Sequence, residues 1–384
     1  MALHFTNQEF KNRKENVLKE MHNTEIDALL MFKQESMYWL TGYDTFGYVF
    51  FQTLILDKSG NVILLTRAPD LRQAQNTSNI KDIRIWVDKD GANPNDDLKK
   101  ILNELNLEGK KIGIEYNAYG LTGRNAILLN EALKDDYKIE DKSELISKLR
   151  VIKSTEEILY VRKAAELADK ALDEVWKNAK AGANEGKILA EMQKIIFENG
   201  GDYPANEFII GSGHNALLCR YQSEKRILSN PDQLTIEWAG TFKHYHSAMF
   251  RTIPIGKANP KHFKMYDACL EALSKCQKKL VPKNTVGDVF DAHAKTLDGF
   301  GYKKSRMNAC GYSLGATFSP NWMDTPPMIF TGNPLILKPG MIFFMHMIVM
   351  DSDNKLAMNL GETYLVTETG NERLGKQKLD LVIL

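Results

Sequence analysis

The chain has 384 residues, 43% hydrophobic and 26% charged, the balance of a globular protein long enough for two domains. Its 50 basic and 49 acidic residues nearly cancel, so nothing electrostatic draws it to nucleic acid or an anionic membrane. Its four cysteines show no CxxC or metal-ligand spacing, no run reaches the roughly 18 apolar residues of a membrane span, and the polar start lacks the apolar core of a secretory signal; a reduced, cytoplasmic setting is expected.

The first third alternates strand-like and helix-like runs. Residues 10–21 read as an amphipathic helix, 26–31 (IDALLM) as a buried strand, and 38–43 (YWLTGY) as a turn at Gly42. Strands follow at 49–56, 62–66, 83–87 and 111–114, with helices near 70–76, 97–105 and 121–133. This order predicts an α/β domain round a mixed sheet over residues 1–150. From residue 143 the pattern changes to long helices, 154–180 and 185–199, the first opened by a Ser154–Glu157 capping box. Strands at 208–210, 234–237 and 242–252, helices at 262–280 and 286–297, and strands at 341–349 and 362–366 complete it. Helices followed by strands, twice over, predict an α+β domain over residues 151–384 with helices on one face of a curved sheet.

The stretch TIEWAGTFKHYHSAMFR, residues 235–251, carries the densest chemistry. An apolar run ends in Glu237, a turn is expected at Ala239-Gly240-Thr241, and a second run carries His244, Tyr245 and His246. On a strand, His244 and His246 share one face and Tyr245 takes the other. A carboxylate and two imidazoles on one hairpin make a plausible acid–base centre; polar residues on an edge hairpin facing water are the plainer reading.

Three further blocks accompany it: IIGSGHNALLCRY at 209–221, GYSLG at 311–315 with WMDTP at 322–326, and GMIFFMH at 340–346 with GET at 361–363. In order and spacing they resemble the C-terminal domain of the creatinase, aminopeptidase P and methionine aminopeptidase superfamily, whose fold is called pita-bread. YWLTGY and LRVIKSTEEI resemble the two-domain members, with a creatinase-like N-terminal domain. The superfamily's metallopeptidases hold two metal ions with two Asp, one His and two Glu. By this resemblance those places fall on Glu237, Ala248, Tyr312, His346 and Glu362, only the last keeping its usual residue. Alanine offers no donor atom, so no metal and no cofactor is expected; one ion on Glu237, His346 and Glu362 is the alternative. The peptidases' catalytic His before the Tyr is Arg220, and a further His aligns near Met323.

The altered strings are most similar to the ectoine-hydrolase branch of the superfamily, whose metal-free members hydrolyse C–N bonds in amidine-like solutes. That resemblance implies a small zwitterionic substrate, a homodimer in which each N-terminal domain helps close the partner's site, and a product left for a separate deacetylase. A protonated amidine carries its own positive charge and needs no Lewis acid. It needs a carboxylate to attack or to activate water, a second to hold the cation, and a proton donor for the leaving nitrogen. Glu237 is expected in the first role and Glu362 in the second, with His346, His244, His246 and Tyr312 as acid–base or hydrogen-bonding groups. Arg220 is expected to clamp a substrate carboxylate, and Trp238, Tyr245 and Trp322 to pack on the cation; core packing is the commoner use of such aromatics. Phe46 and Tyr48 are expected to reach the partner's site. Other readings are a creatinase-like amidinohydrolase, a metal-dependent dimethylsulfoniopropionate lyase or Xaa-Pro peptidase of the same fold, and a binding protein without catalysis.

Overall fold

The structure is a computed structural model that describes residues 3–220 and 223–384. The chain divides into two compact units, Met1–Arg150 and Val151–Leu384.

In the first unit α1 (Asn7–Asn23) leads into β1 (Ala28–Met31), α2 (Gln34–Thr41), β2 (Thr53–Asp57), β3 (Val62–Arg67), α3 (Leu71–Thr77), β4 (Asp82–Trp86), α4 (Pro94–Glu104), β5 (Lys111–Ile114), α5 (Gly123–Leu133), β6 (Lys138–Asp141) and α6 (Leu145–Arg150). The strands form one mixed six-stranded sheet in the order β4-β3-β2-β1-β5-β6. The YWLTGY stretch is the end of α2 rather than a turn, and Gly42 caps it in the left-handed region, φ 83°. Buried Glu115 accepts from the backbone N–H groups of Phe32 and Lys33 and the Ser36 hydroxyl, tying α2 to the sheet.

The second unit opens with α7 (Thr155–Asn178), whose Ser154–Glu157 capping box forms as the sequence predicts. There follow α8 (Glu185–Glu198), β7 (Ile209–Ser212), β8 (Asp232–Phe242), β9 (Tyr245–Ile255), α9 (Pro260–Lys279), α10 (Val286–Gly299), β10 (Ala309–Ser313), β11 (Met328–Phe330), β12 (Ile342–Asp351), β13 (Leu356–Val366) and β14 (Asn371–Arg373). Seven strands run β11-β10-β12-β13-β9-β8-β7, and β14 pairs with β13. Helices α7, α9 and α10 pack on one face of this sheet; the other face carries the candidate site. Among the described residues, no helix is long and apolar enough to cross a membrane.

Which residues reach which face follows from register. Across β8 and β9, Glu237 pairs with Phe250, Ala239 with Ala248 and Thr241 with His246. Their neighbours Trp238 and Gly240 point the other way, into α7: Trp238 donates its indole N–H to the Ala168 carbonyl at 3.0 Å. Gly240, expected in a turn, lies mid-strand because α7 passes so close. A Cβ there would stand 2.0 Å from the Ala164 carbonyl oxygen and 2.5 Å from the Ala168 nitrogen. The hairpin turns instead at Lys243 and His244, both with positive φ (50° and 64°), the geometry that matches a two-residue loop to strand twist. Gly240→Ala is therefore expected to cost about 3 kcal/mol, since backbone rather than a mobile side chain must yield; urea denaturation measures it.

Candidate functional site

The face turned away from the helices is built in rows. One row runs His346 on β12, Gly361 on β13, Phe250 on β9 and Glu237 on β8. Beside it Phe344 pairs with Thr363 and, on its other side, with Tyr312 of β10. The Thr363 hydroxyl accepts from the Ala248 N–H at 3.0 Å and donates to the Ala248 carbonyl at 2.8 Å, standing in for a ladder bond between β9 and β13. On the far side of the first row, Asn359 donates to the Thr252 hydroxyl at 2.9 Å, and Thr252 bonds Thr235 at 2.9 Å. A short 3-10 turn at Gly213–Leu217 packs on β8 and β13 and leads the chain to Arg220.

Glu237 is buried, 9% exposed, and accepts one hydrogen bond, from the Tyr312 hydroxyl at 3.2 Å. Tyr312 in turn accepts from the Trp322 indole N–H at 2.8 Å, and the Trp322 backbone N–H bonds the Asn206 side-chain oxygen at 2.9 Å. A relay of donors thus runs Trp322 to Tyr312 to Glu237. Burial pushes the Glu237 carboxyl up to about 7, although the Tyr312 bond and the Arg220 charge both act to lower it. The Tyr312 phenol is held well above its ordinary value, by burial first and the Glu237 charge second, so it stays protonated and donating. His346 packs against Tyr312 with ring centroids 5.7 Å apart, and burial pushes its imidazole down to about 4. It is neutral near pH 7. Arg220 is exposed, yet its charge acts on Glu237, Tyr312 and His346 alike. Tyr221, next in the chain, lies outside the described residues.

Five expected placements change. Glu362 was expected in this pocket, but register pairs it with Met345 while Gly361 pairs with His346, so its side chain emerges on the helix face. There it accepts from buried Arg251 and has Arg373 at 3.9 Å. The place beside His346 belongs to Gly361, where a Cβ would meet the Phe344 ring at 2.7 Å and Phe250 at 2.8 Å. Trp238 faces α7, as described. Tyr245 also faces the helices, its hydroxyl donating to Glu157 at 2.6 Å. His244 sits in the hairpin turn, stacked on Phe318 at 4.1 Å, and does not share a strand face with His246. His246 does lie on the pocket face, but four residues from Phe250 along β9, roughly 13 Å. Its Nε2 accepts from the Ala205 N–H at 2.9 Å, which leaves Nδ1 to donate to the Thr317 hydroxyl at 3.2 Å. Burial, helped by His244, holds it down to about 3, so it works as a fixed structural tie. Phe46, 80% exposed, and buried Tyr48 belong to the first unit.

The site therefore gathers Glu237, Tyr312, Trp322 and His346 over a floor of Phe250, Phe344, Ala248 and Gly361, within range of the Arg220 charge. Sequence reading passed over Gly361, Phe344 and Phe250; the period of two along β13 was the signal, had the register been known.

A model of metallopeptidase family M24 matches residues 160–368, and one of the creatinase/prolidase N-terminal domain matches residues 13–152. The chain belongs to family M24. Its M24 portion carries the pita-bread fold of that hydrolase family, with a creatinase-type domain before it. Among M24-type relatives, an ectoine hydrolase from Halomonas elongata is 26% identical over 97% of each chain. An Xaa-Pro dipeptidase from Pyrococcus furiosus is 25% identical over 97% of this chain and 100% of its own. A solved prolidase from Thermococcus sibiricus superposes with a TM-score of 0.86, covering 98% of this chain and 99% of that one at 22% identity.

The described side chains of this M24 chain do not assemble the two-metal centre of the superfamily's peptidases. Ala248 and Gly361 supply no donor, the Tyr312 hydroxyl is committed to Glu237, and the Phe344 ring edge fills the space a side chain at 361 would need. Glu362, expected to complete a single-ion site, faces away. Among the described residues no three His, Cys, Asp or Glu side chains are grouped to hold a cation. The donor set does not fit two bridged ions.

Proposed function

We propose that this M24 chain is a metal-independent hydrolase that opens the ring of ectoine, a cyclic amidine carboxylate, with hydroxyectoine as a close alternative. The observation that carries the reading is Glu237: a single buried carboxylate, aimed by Tyr312 and Trp322 at a floor with no metal donors. A delocalised cation restores the carboxylate's charge on binding, because an adjacent positive charge favours the ionised form. The similarity to the Halomonas elongata ectoine hydrolase supports the same substrate class.

Two routes start from that carboxylate. As a general base, Glu237 takes a proton from water while the water oxygen bonds to the amidine carbon. It returns the proton to the ring nitrogen as the C–N bond breaks, leaving an amide on one nitrogen and an amine on the other. As a nucleophile, it bonds to the amidine carbon itself, a ring nitrogen leaves with a proton, and water then clears the adduct. Neutral His346 offers a hydrogen bond to the reacting nitrogen or water, and Arg220 carries the charge to hold the substrate carboxylate. Mass mapping of enzyme quenched with ectoine separates the routes: only the second leaves mass on Glu237.

The reading is tested by assaying purified protein with ectoine, hydroxyectoine, creatine and Xaa-Pro dipeptides, each with chelator and with added divalent metal. Ectoine turnover that survives chelation is expected. The Xaa-Pro dipeptidase relatives favour peptide hydrolysis as the second reading; dipeptide turnover on metal addition, with none of ectoine, would establish it instead.

Tyr312→Phe removes the donor that lowers the Glu237 pKa and leaves the Trp322 N–H unpaired. The acidic limb of kcat/KM against pH is expected to move upward from about 7, with a stability loss of about 1–3 kcal/mol.

A further inference from the structure

A buried ion pair at the end of β10 takes no part in the proposed chemistry. Lys153, the residue before the Ser154 cap of α7, has a side chain only 1% exposed, and its ammonium lies 3.6 Å from the Asp324 carboxylate, itself 10% exposed. The same ammonium donates to the Ser313 hydroxyl and the Val151 carbonyl, each at 3.3 Å. Ser313 closes β10, one residue after Tyr312. Asp324 lies on the loop between β10 and β11, two residues after Trp322. The pair therefore joins the root of that loop to its returning arm.

The backbone repeats the same link. Asp324 donates its N–H to the Ser313 carbonyl at 2.9 Å, and Ser313 donates its own to the Pro327 carbonyl at 3.0 Å, so the returning arm is stapled to one residue of β10. Gly315 leaves room for the carboxylate: a Cβ there would overlap Asp324 Oδ2 and meet Lys153 Cε at 3.3 Å. From this fixed point the chain leads back through Met323 to Trp322, whose indole N–H reaches the Tyr312 hydroxyl at 2.8 Å, and Tyr312 donates to Glu237 at 3.2 Å. Ser313 and Tyr312 look to opposite faces of the strand, so Lys153 stays outside the site and acts on it only through the loop. Taking an ammonium and a carboxylate out of water is costly, and apolar residues of similar size often serve stability as well. What apolar residues do not supply is a directional hold on Asp324.

We propose that Lys153 is a positioning residue: by holding Asp324 against Ser313 it fixes the loop that carries Trp322, and so keeps the indole N–H on Tyr312 and the Tyr312 hydroxyl on Glu237. With the indole in place, the Tyr312 oxygen is occupied as an acceptor and its proton is directed at the carboxylate; without it, the hydroxyl is free to rotate. The inference deepens the proposed reaction by saying what holds the Glu237 relay in line, but its structural half stands without any substrate.

The test uses the full-length protein, the variant Lys153→Met, and the double variant Lys153→Met with Asp324→Leu. The single variant leaves a poorly solvated carboxylate and should lower the thermal midpoint; the double variant removes both desolvated charges and should recover much of it. The indole N–H resonance of Trp322, one of five tryptophans and assigned through Trp322→Phe, reports the bond to Tyr312 directly. In both variants it should move in the direction it takes in Tyr312→Phe, while the other indole resonances stay in place. With ectoine, kcat should fall about tenfold in both, with KM within about twofold. A Trp322 resonance at its wild-type position in the double variant would make the pair a stability device only and overturn the proposal. Absence of ectoine turnover in wild type would end the ectoine reading, and the Trp322 resonance alone would then decide this one.

Discussion

Glu237→Gln is expected to abolish turnover and, at neutral to alkaline pH, to make the protein more stable. Both effects have one cause. Burial raises the carboxyl from 4.5 to about 7, so between those values the folded chain keeps a proton the unfolded chain has released. Stability then falls as pH rises through that window. Below pH 4.5 both states are protonated and no penalty exists; above pH 7 the folded chain bears it in full. Glutamine accepts the Tyr312 bond without ionising, so the variant should match wild type at pH 4 and exceed it at pH 8 by on the order of 3 kcal/mol. Loss of the base or nucleophile should lower kcat by about 10³-fold. Urea titrations at the two pH values, beside the ectoine assay, measure both. A variant no more stable than wild type at pH 8 would mean that Glu237 ionises freely in the folded protein, and the argument for a strained, desolvated carboxylate would be lost.

What could be seen in the sequence was set by how local the determinants were. The capping box at Ser154, the helical periods of α7, α9 and α10, and the motif blocks around Glu237, Tyr312 and His346 are each written in a few adjacent residues, and the family and fold follow from them. Gly240 misled because glycine serves two purposes: it signals a turn, but here it admits a helix backbone to a strand. The true turn, Lys243-His244, uses residues that seldom take positive φ, so it left no compositional trace. Glu362 misled for a sharper reason. A displacement of one residue along a strand exchanges the faces, and only the pairing of His346 with Gly361 shows which of Gly361 and Glu362 looks into the pocket.

The reassignment of Glu362 carries the second large effect. Its side chain is fully buried, with Arg251 only 5% exposed against it. Arg251 also donates to the carbonyls of Phe250 at 2.8 Å and Gly361 at 2.9 Å, so it is fixed in place by the two strands beneath the pocket. Removing the carboxylate leaves a guanidinium charge in the core with nowhere to relax. Glu362→Ala is therefore expected to cost about 3–5 kcal/mol, whereas Glu362→Gln, which keeps an acceptor, should cost less. Because the lost group lies behind the sheet, the protein that remains folded at low temperature should keep its KM for ectoine. Replacing both partners, as Arg251→Met with Glu362→Met, removes the desolvated charges together and should recover much of the lost stability. A residue holding the substrate cation would behave in the opposite way: Glu362→Ala would fold as well as wild type, KM would rise steeply, and the double replacement would rescue nothing. Thermal midpoints and KM for these variants thus decide which face of the sheet Glu362 serves, and with it whether the pocket works with Glu237 as its one carboxylate.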